Sequence, residues 1–134
     1  MNKDLHNNIE NRSALNNSNI TSNTTTNGNT IDTLGYESIE FLIQSGTITD
    51  GSYAFQVFEG DASNMSDEVQ VAAGNILGTI PTLTGSDDNV VKRFGVKMGS
   101  KRYMRLKVVS TSVTTGGNME AQALLGTPLQ APTP

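Results

Sequence analysis

The chain has 134 residues, 35% hydrophobic and 16% charged, with a net charge of −4; this is one domain's worth of sequence with room for a modest core. The lack of cysteine excludes disulfides, thiol nucleophiles and cysteine-based zinc sites together, and with no Trp, 3 Tyr and 4 Phe the core must rest on aliphatic side chains. No stretch approaches the roughly 18 consecutive apolar residues of a membrane span, and residues 1–20 show neither a basic n-region nor an apolar h-region, so a soluble chain with no membrane partner is expected.

Residues 1–30 hold ten of the 14 Asn, and 16–30 are almost wholly Asn, Ser and Thr. Such a stretch buries too little apolar surface to offset roughly 1–2 kcal/mol per residue of ordering entropy, so the composition predicts a flexible N-terminal arm over 1–30. Leu5, Ile9, Arg12 and Leu15 come close to helical spacing, which allows one or two weak turns. The arm is either a solvated leader or an extension whose apolar anchors Leu5, Ile9, Leu15 and Ile20 fold onto a partner.

From residue 31 the pattern changes to short strands and turns. In 38–45, Ile39, Phe41 and Ile43 alternate with Glu40, Leu42 and Gln44; in 53–59, Tyr53, Phe55 and Val57 form the second apolar face. Asp50-Gly51 between them is a turn-forming pair, so an antiparallel hairpin is expected. A polar loop (60–67) and a short strand near 68–72 follow, then an apolar stretch, 74–84, that Gly78 and Pro81 restrict to an edge or a connection. Residues 90–96 read as a strand with a bulge near Gly95. Met104, Leu106 and Val108 form one face of 102–111, and Met119, Ala121, Ala123 and Leu125 one face of 118–125; pairing these two as a hairpin sets Glu120 across from Arg105 and Lys107. Residues 127–134, with three prolines, read as an extended tail. The sum is an all-β chain, an antiparallel β-sandwich of jelly-roll-like type over 31–126, with a small barrel as the competing architecture. Exposed edge strands would favour self-association or coverage by a tail.

Charge is unevenly distributed. Residues 1–91 carry 12 of the 13 acids and two bases, whereas Lys92, Arg93, Lys97, Lys101, Arg102, Arg105 and Lys107 crowd into 16 residues. Two readings stand: pairing with acids of the same fold, or a surface for an acidic protein partner. A nucleic-acid surface would want interleaved aromatics and a basic domain, so no nucleic-acid partner is expected.

Catalysis is hard to assemble. His6 is the one histidine and lies in the arm, which leaves no imidazole for a Ser–His–Asp set. Asp67-Glu68 and Asp87-Asp88 are adjacent loop carboxylates. The Asp61, Ser63, Asn64, Ser66, Asp67 stretch has oxygen ligands at spaced positions, but it lacks the glycine and terminal glutamate of an EF-hand loop, which favours a plain Asx-rich turn over a Ca²⁺ site. Neither an enzyme nor a cofactor is expected.

The segment GSKRYMRLKVVSTSVTTGGNMEAQALLG within 95–126, with its KRY-x-R strand, TTGG turn and final xLG, resembles a stretch common in small structural proteins of tailed bacteriophages and prophages. IDTLGYESIEFLIQSGTITDGSYAFQVFEGDASNMSD, from residue 31, is similar to the front half of such proteins. The resemblance implies a β-sandwich virion protein of the head decoration, or cement, type on the outer capsid surface, bound to the major capsid protein as a homo-oligomer, with a trimer favoured. On that reading the contacts fall to Leu5, Ile9, Leu15 and Ile20 of the arm and to Lys92, Arg93, Lys97, Lys101 and Arg102. A tail or neck component and a carbohydrate-binding sandwich are the alternatives; the second is disfavoured by the scarcity of aromatic platforms.

Overall fold

The computed structural model describes residues 3–130. Eleven strands follow in chain order: β1 (Glu10–Ile20), β2 (Thr25–Asn27), β3 (Ile31–Asp32), β4 (Tyr36–Ile48), β5 (Ser52–Gly60), β6 (Val69–Gln70), β7 (Ile76–Leu77), β8 (Thr82–Leu83), β9 (Val91–Val96), β10 (Tyr103–Thr111) and β11 (Gly117–Pro128). They form two antiparallel sheets. One runs β1-β11-β4-β9-β7; the other runs β2-β10-β5-β6, with β3 also on β10 and β8 also on β5. The fold is the expected sandwich, and its sheets do not merge into a barrel.

Every alternation read from β4, β5, β10 and β11 lands as expected. Ile39, Phe41 and Ile43 of β4, Tyr53, Phe55 and Val57 of β5, Met104, Leu106 and Val108 of β10, and Met119, Ala121, Ala123 and Leu125 of β11 are all buried between the sheets. Phe41 and Phe94 stack there with ring centroids 5.3 Å apart.

Pairing differs from expectation in both proposed hairpins. Strands β4 and β5 lie in different sheets, as do β10 and β11: β10 pairs with β5 from Tyr103↔Gly60 to Thr111↔Ser52, and β11 with β4 from Gly117↔Ile48 to Pro128↔Tyr36. The connections at 49–51 and 112–116 are therefore corners between layers. Two consecutive strands that each carry a full apolar face bury both faces by facing one another across a core, whereas side by side both still need a cover.

The two corners are fastened together by Asp50. Its Oδ1 accepts from the amides of Thr114 and Gly116 at 3.1 and 3.0 Å, and its Oδ2 from Thr115 at 2.9 Å. These amide hydrogen bonds, Thr115's first, hold the carboxyl below the usual carboxylate range. Asp50→Ala leaves them without an acceptor, so amide exchange at 114–116 is expected to accelerate by about tenfold or more, with exchange in β4 and β11 little changed. Unchanged exchange in this corner would show that Asp50 is dispensable to it.

The boundary expected at residue 30 is not where the structure places it. Glu10–Ile20 is a strand on β11 with two register shifts, in place of helical turns, and Ala14, Leu15 and Ile20 enter the core. The chain then crosses to the other sheet and lays Thr25–Asn27 and Ile31–Asp32 on β10. Asn-, Ser- and Thr-rich sequence suffices because an edge strand needs few apolar contacts when its amides are paired along a neighbour's free side. Gly28 permits the crossing: its amide donates to Leu106 O at 2.7 Å, and a Cβ there would lie 2.3 Å from Ala14 O. Buried Ser110 fixes the same stretch, its hydroxyl donating to Ser22 O at 2.7 Å and accepting from the Thr24 amide at 3.0 Å.

Smaller differences have local causes. Gly95 sits in a regular stretch of the β4–β9 ladder and makes room for the Glu40 carboxylate, 2.5 Å from where a Cβ would stand, so no bulge is needed. The stretch 74–84 divides at Gly78 (φ +84°) into β7 and β8, one in each sheet, as its breakers require. At the C-terminal end β11 continues through Thr127 and Pro128, and the Leu129 amide donates to Gly35 O. The part of the expected tail at 131–134 lies outside the described residues.

Candidate functional site

Six of the seven clustered bases pair inside the fold. Lys92 meets Asp87 at 3.0 Å, Arg93 meets Glu40 at 2.8 Å and Lys101 meets Asp61 at 3.0 Å. Arg102 grips Asp32 through two bonds of 2.8 Å and lies over the Tyr103 ring. Arg105 and Lys107 share Glu68. Glu68 takes the place expected for Glu120, which lies on the other sheet. Lys97 is exposed and has no ion pair among the described residues. The intramolecular reading of the cationic stretch therefore accounts for most of it.

Among the expected arm anchors, Leu15 and Ile20 are corrected. They are 3% and 6% exposed in the chain's own core and are not available to another molecule. Ile9 is half-buried, and Leu5, ahead of a short 3-10 turn (His6–Asn8), is exposed. The 61–67 loop holds itself: the Asp67 carboxylate accepts from the amides of Asp61 and Ala62, and Asp61 engages Lys101. Among the described residues no group of three or more His, Cys, Asp or Glu side chains is placed to hold a metal ion.

A cleft of about 570 Å³ opens at the end of the sandwich where β1 starts, β4 starts and β11 ends; Glu10, Arg12, Leu34, Gly35, Tyr36 and Leu129 line it. A polar network lines it. The Tyr36 hydroxyl donates to Glu10 Oε2, Arg12 reaches the same oxygen at 3.1 Å, and Arg12 also donates to Asp32 O while lying over the Tyr36 ring. The Tyr36 bond, opposed by burial and aided by Arg12, keeps Glu10 below the usual carboxylate range, and the same bond raises Tyr36. The rims are the opposite: Leu34 and Leu129 are 65% and 69% exposed. A polar network between two exposed leucines suits contact with another surface.

Sequence reading missed this cleft because its parts lie in three distant segments. The signal present was Leu34, a large apolar residue inside the polar turn ahead of Gly35 (φ +96°), where core packing gives it no role.

The architecture defines the class, a two-sheet antiparallel sandwich, and comparison with solved structures places a viral capsid protein beside it. The crystal structure of the infectious bursal disease virus VP2 subviral particle matches 87% of this chain at a TM-score of 0.50 and 13% identity. The chain spans about a third (32%) of the length of that protein, and at this identity the likeness is one of fold. No protein-family model matches the sequence. No curated protein matches it either.

Proposed function

We propose that this chain is a virion structural protein of the head decoration type, bound to the outside of the major capsid protein shell as a homo-oligomer, with a trimer favoured. The observation that carries the reading is the sandwich itself, which shares its fold with a viral capsid protein over 87% of the chain, in a sequence whose strands and turns resemble those of small phage virion proteins. The exposed leucine rims of the end cleft supply the docking patch in this reading, in place of the internally paired bases. Several copies on one shell strengthen weak single contacts through effective concentration.

Cosedimentation with expanded, undecorated heads of the producing virus tests the proposal, with mass spectrometry of separated heads and tails fixing its station. Leu34→Asp with Leu129→Asp is expected to weaken head binding by about tenfold or more while thermal unfolding stays close to wild type, since both side chains are exposed. Recovery of the protein only with tails would overturn the assignment in favour of a tail or neck component.

A further inference from the structure

The solvent face of the β1-β11-β4-β9-β7 sheet carries a second surface, distinct from the end cleft. Because Phe41, Ile43, Ala121, Ala123 and Phe94 point to the core, their neighbours along each strand point outward. Register places Leu42 opposite Gln122 on one side and Arg93 on the other; Leu124 and Val91 stand on the two diagonals from Leu42. An apolar stripe, Leu124–Leu42–Val91, thus crosses three strands, and Val91 is 65% exposed. Glu120 lies beside the stripe, opposite Gln44. It lines three adjoining hollows of about 340, 140 and 100 Å³, the last also lined by Leu42 and Val91.

Charge decides what this face fits. Arg93 and Glu40 neutralise one another at 2.8 Å, whereas Glu120 is half-buried and has no ion-pair partner among the described residues. On the same strand and face the Asn118 Oδ1 is buried without a donor, in the hollow it shares with Glu120, Asn17, Gln44 and Asn89. The surplus is one negative charge and one acceptor beside an apolar stripe. A second copy of this face would set like charge against like within an apolar layer. A glycan would want an aromatic platform, and outward positions on β4 offer only Tyr36, in the end cleft.

We propose that this face docks a protein partner that presents a lysine or arginine among aliphatic side chains, the cation seated on Glu120 and the aliphatic groups on Leu124, Leu42 and Val91. The proposal is independent of the shell-binding reading and of the Leu34–Leu129 cleft.

The probe is the tripeptide acetyl-leucyl-lysyl-valine amide, titrated at low ionic strength into the full ¹⁵N-labelled chain to about 10 mM, with its norleucine analogue and maltotriose as controls. Amide shifts clustered at Gln44, Leu42, Asn118 and Glu120 are expected. Binding should weaken about tenfold for the norleucine peptide and for Glu120→Gln, an isosteric change, and fall with added salt. Absence of shifts, equal binding of the norleucine peptide, or stronger maltotriose binding at the same residues would each overturn it. So would a dimer in sedimentation that Leu42→Ser dissolves, because the face would then belong to a second copy.

Discussion

Phe41→Ala is expected to lower the free energy of unfolding by about 3–5 kcal/mol, read from a urea titration as a fall in midpoint with little change in slope. The side chain is fully buried at the centre of β4, the strand with β11 on one side and β9 on the other, and its ring stacks on Phe94 across the β4–β9 pair. Apart from Phe94, Tyr53 and Phe55 the core is built of aliphatic side chains and three methionines, so few aromatic rings are at hand to fill the space. Total stability for a domain of this size is about 5–15 kcal/mol, which makes this one ring a large share. Phe41→Leu should lose appreciably less, since it keeps most of the filled volume. A loss below about 1 kcal/mol for the alanine variant would mean that the β4–β9 interface is loosely packed.

Removing Glu68 is the second large effect. Its carboxylate, Arg105 and Lys107 have side chains only 20%, 17% and 18% exposed, and Lys107 also lies 4.4 Å from the Phe58 ring centroid. Glu68→Ala leaves two cations side by side on one face of β10 without a counter-charge. A fully buried pair broken in this way costs about 3–5 kcal/mol, and partial exposure brings the expectation here to about 2–3 kcal/mol. Replacing Arg105 and Lys107 by Met in the same variant should recover much of the loss, because the uncompensated charge goes with them.

The same group sets the direction of the pH response. Burial pushes the Glu68 carboxyl up, but the hydrogen bonds and charges of Lys107 and Arg105 outweigh it, so it stays below the usual carboxylate range. A carboxyl lowered in the folded state stabilises the fold fully above its unfolded value and loses that contribution as pH falls through the folded one. Hydrogen bonds and charge also lower Asp32, Asp67 and Asp87. Thermal stability is therefore expected to be flat from about pH 6 to 8 and to fall steeply below about pH 4, with a shallower fall in Glu68→Ala.

Arginine 102 and its neighbours show why charge was only half legible. Seven bases in 16 residues are visible in the sequence, but their partners Asp32, Glu40, Asp61, Glu68 and Asp87 are 5 to 70 positions away, and only the sheet order brings them near. A strand exposes its period locally, whereas its neighbour is chosen by the whole chain. Glu120 illustrates the reverse: local reading paired it with Arg105 and Lys107, and the layer change at 112–116 left it facing solvent on the opposite sheet. The end cleft was less legible still, since its lining comes from three distant segments.

The sequence by itself determined the class of fold, four of the five long strands and the side chains those four send into the core, because a period of two fixes the face of a strand whatever lies beside it. Only the tertiary structure decided which strands are neighbours, that Glu10–Ile20 and Thr25–Asn27 complete the sheets, and which charges remain unmatched. The physical reason is that sheet edges are satisfied by backbone amides, which every residue carries, so polar segments such as 10–27 become strands once a neighbour offers a free edge.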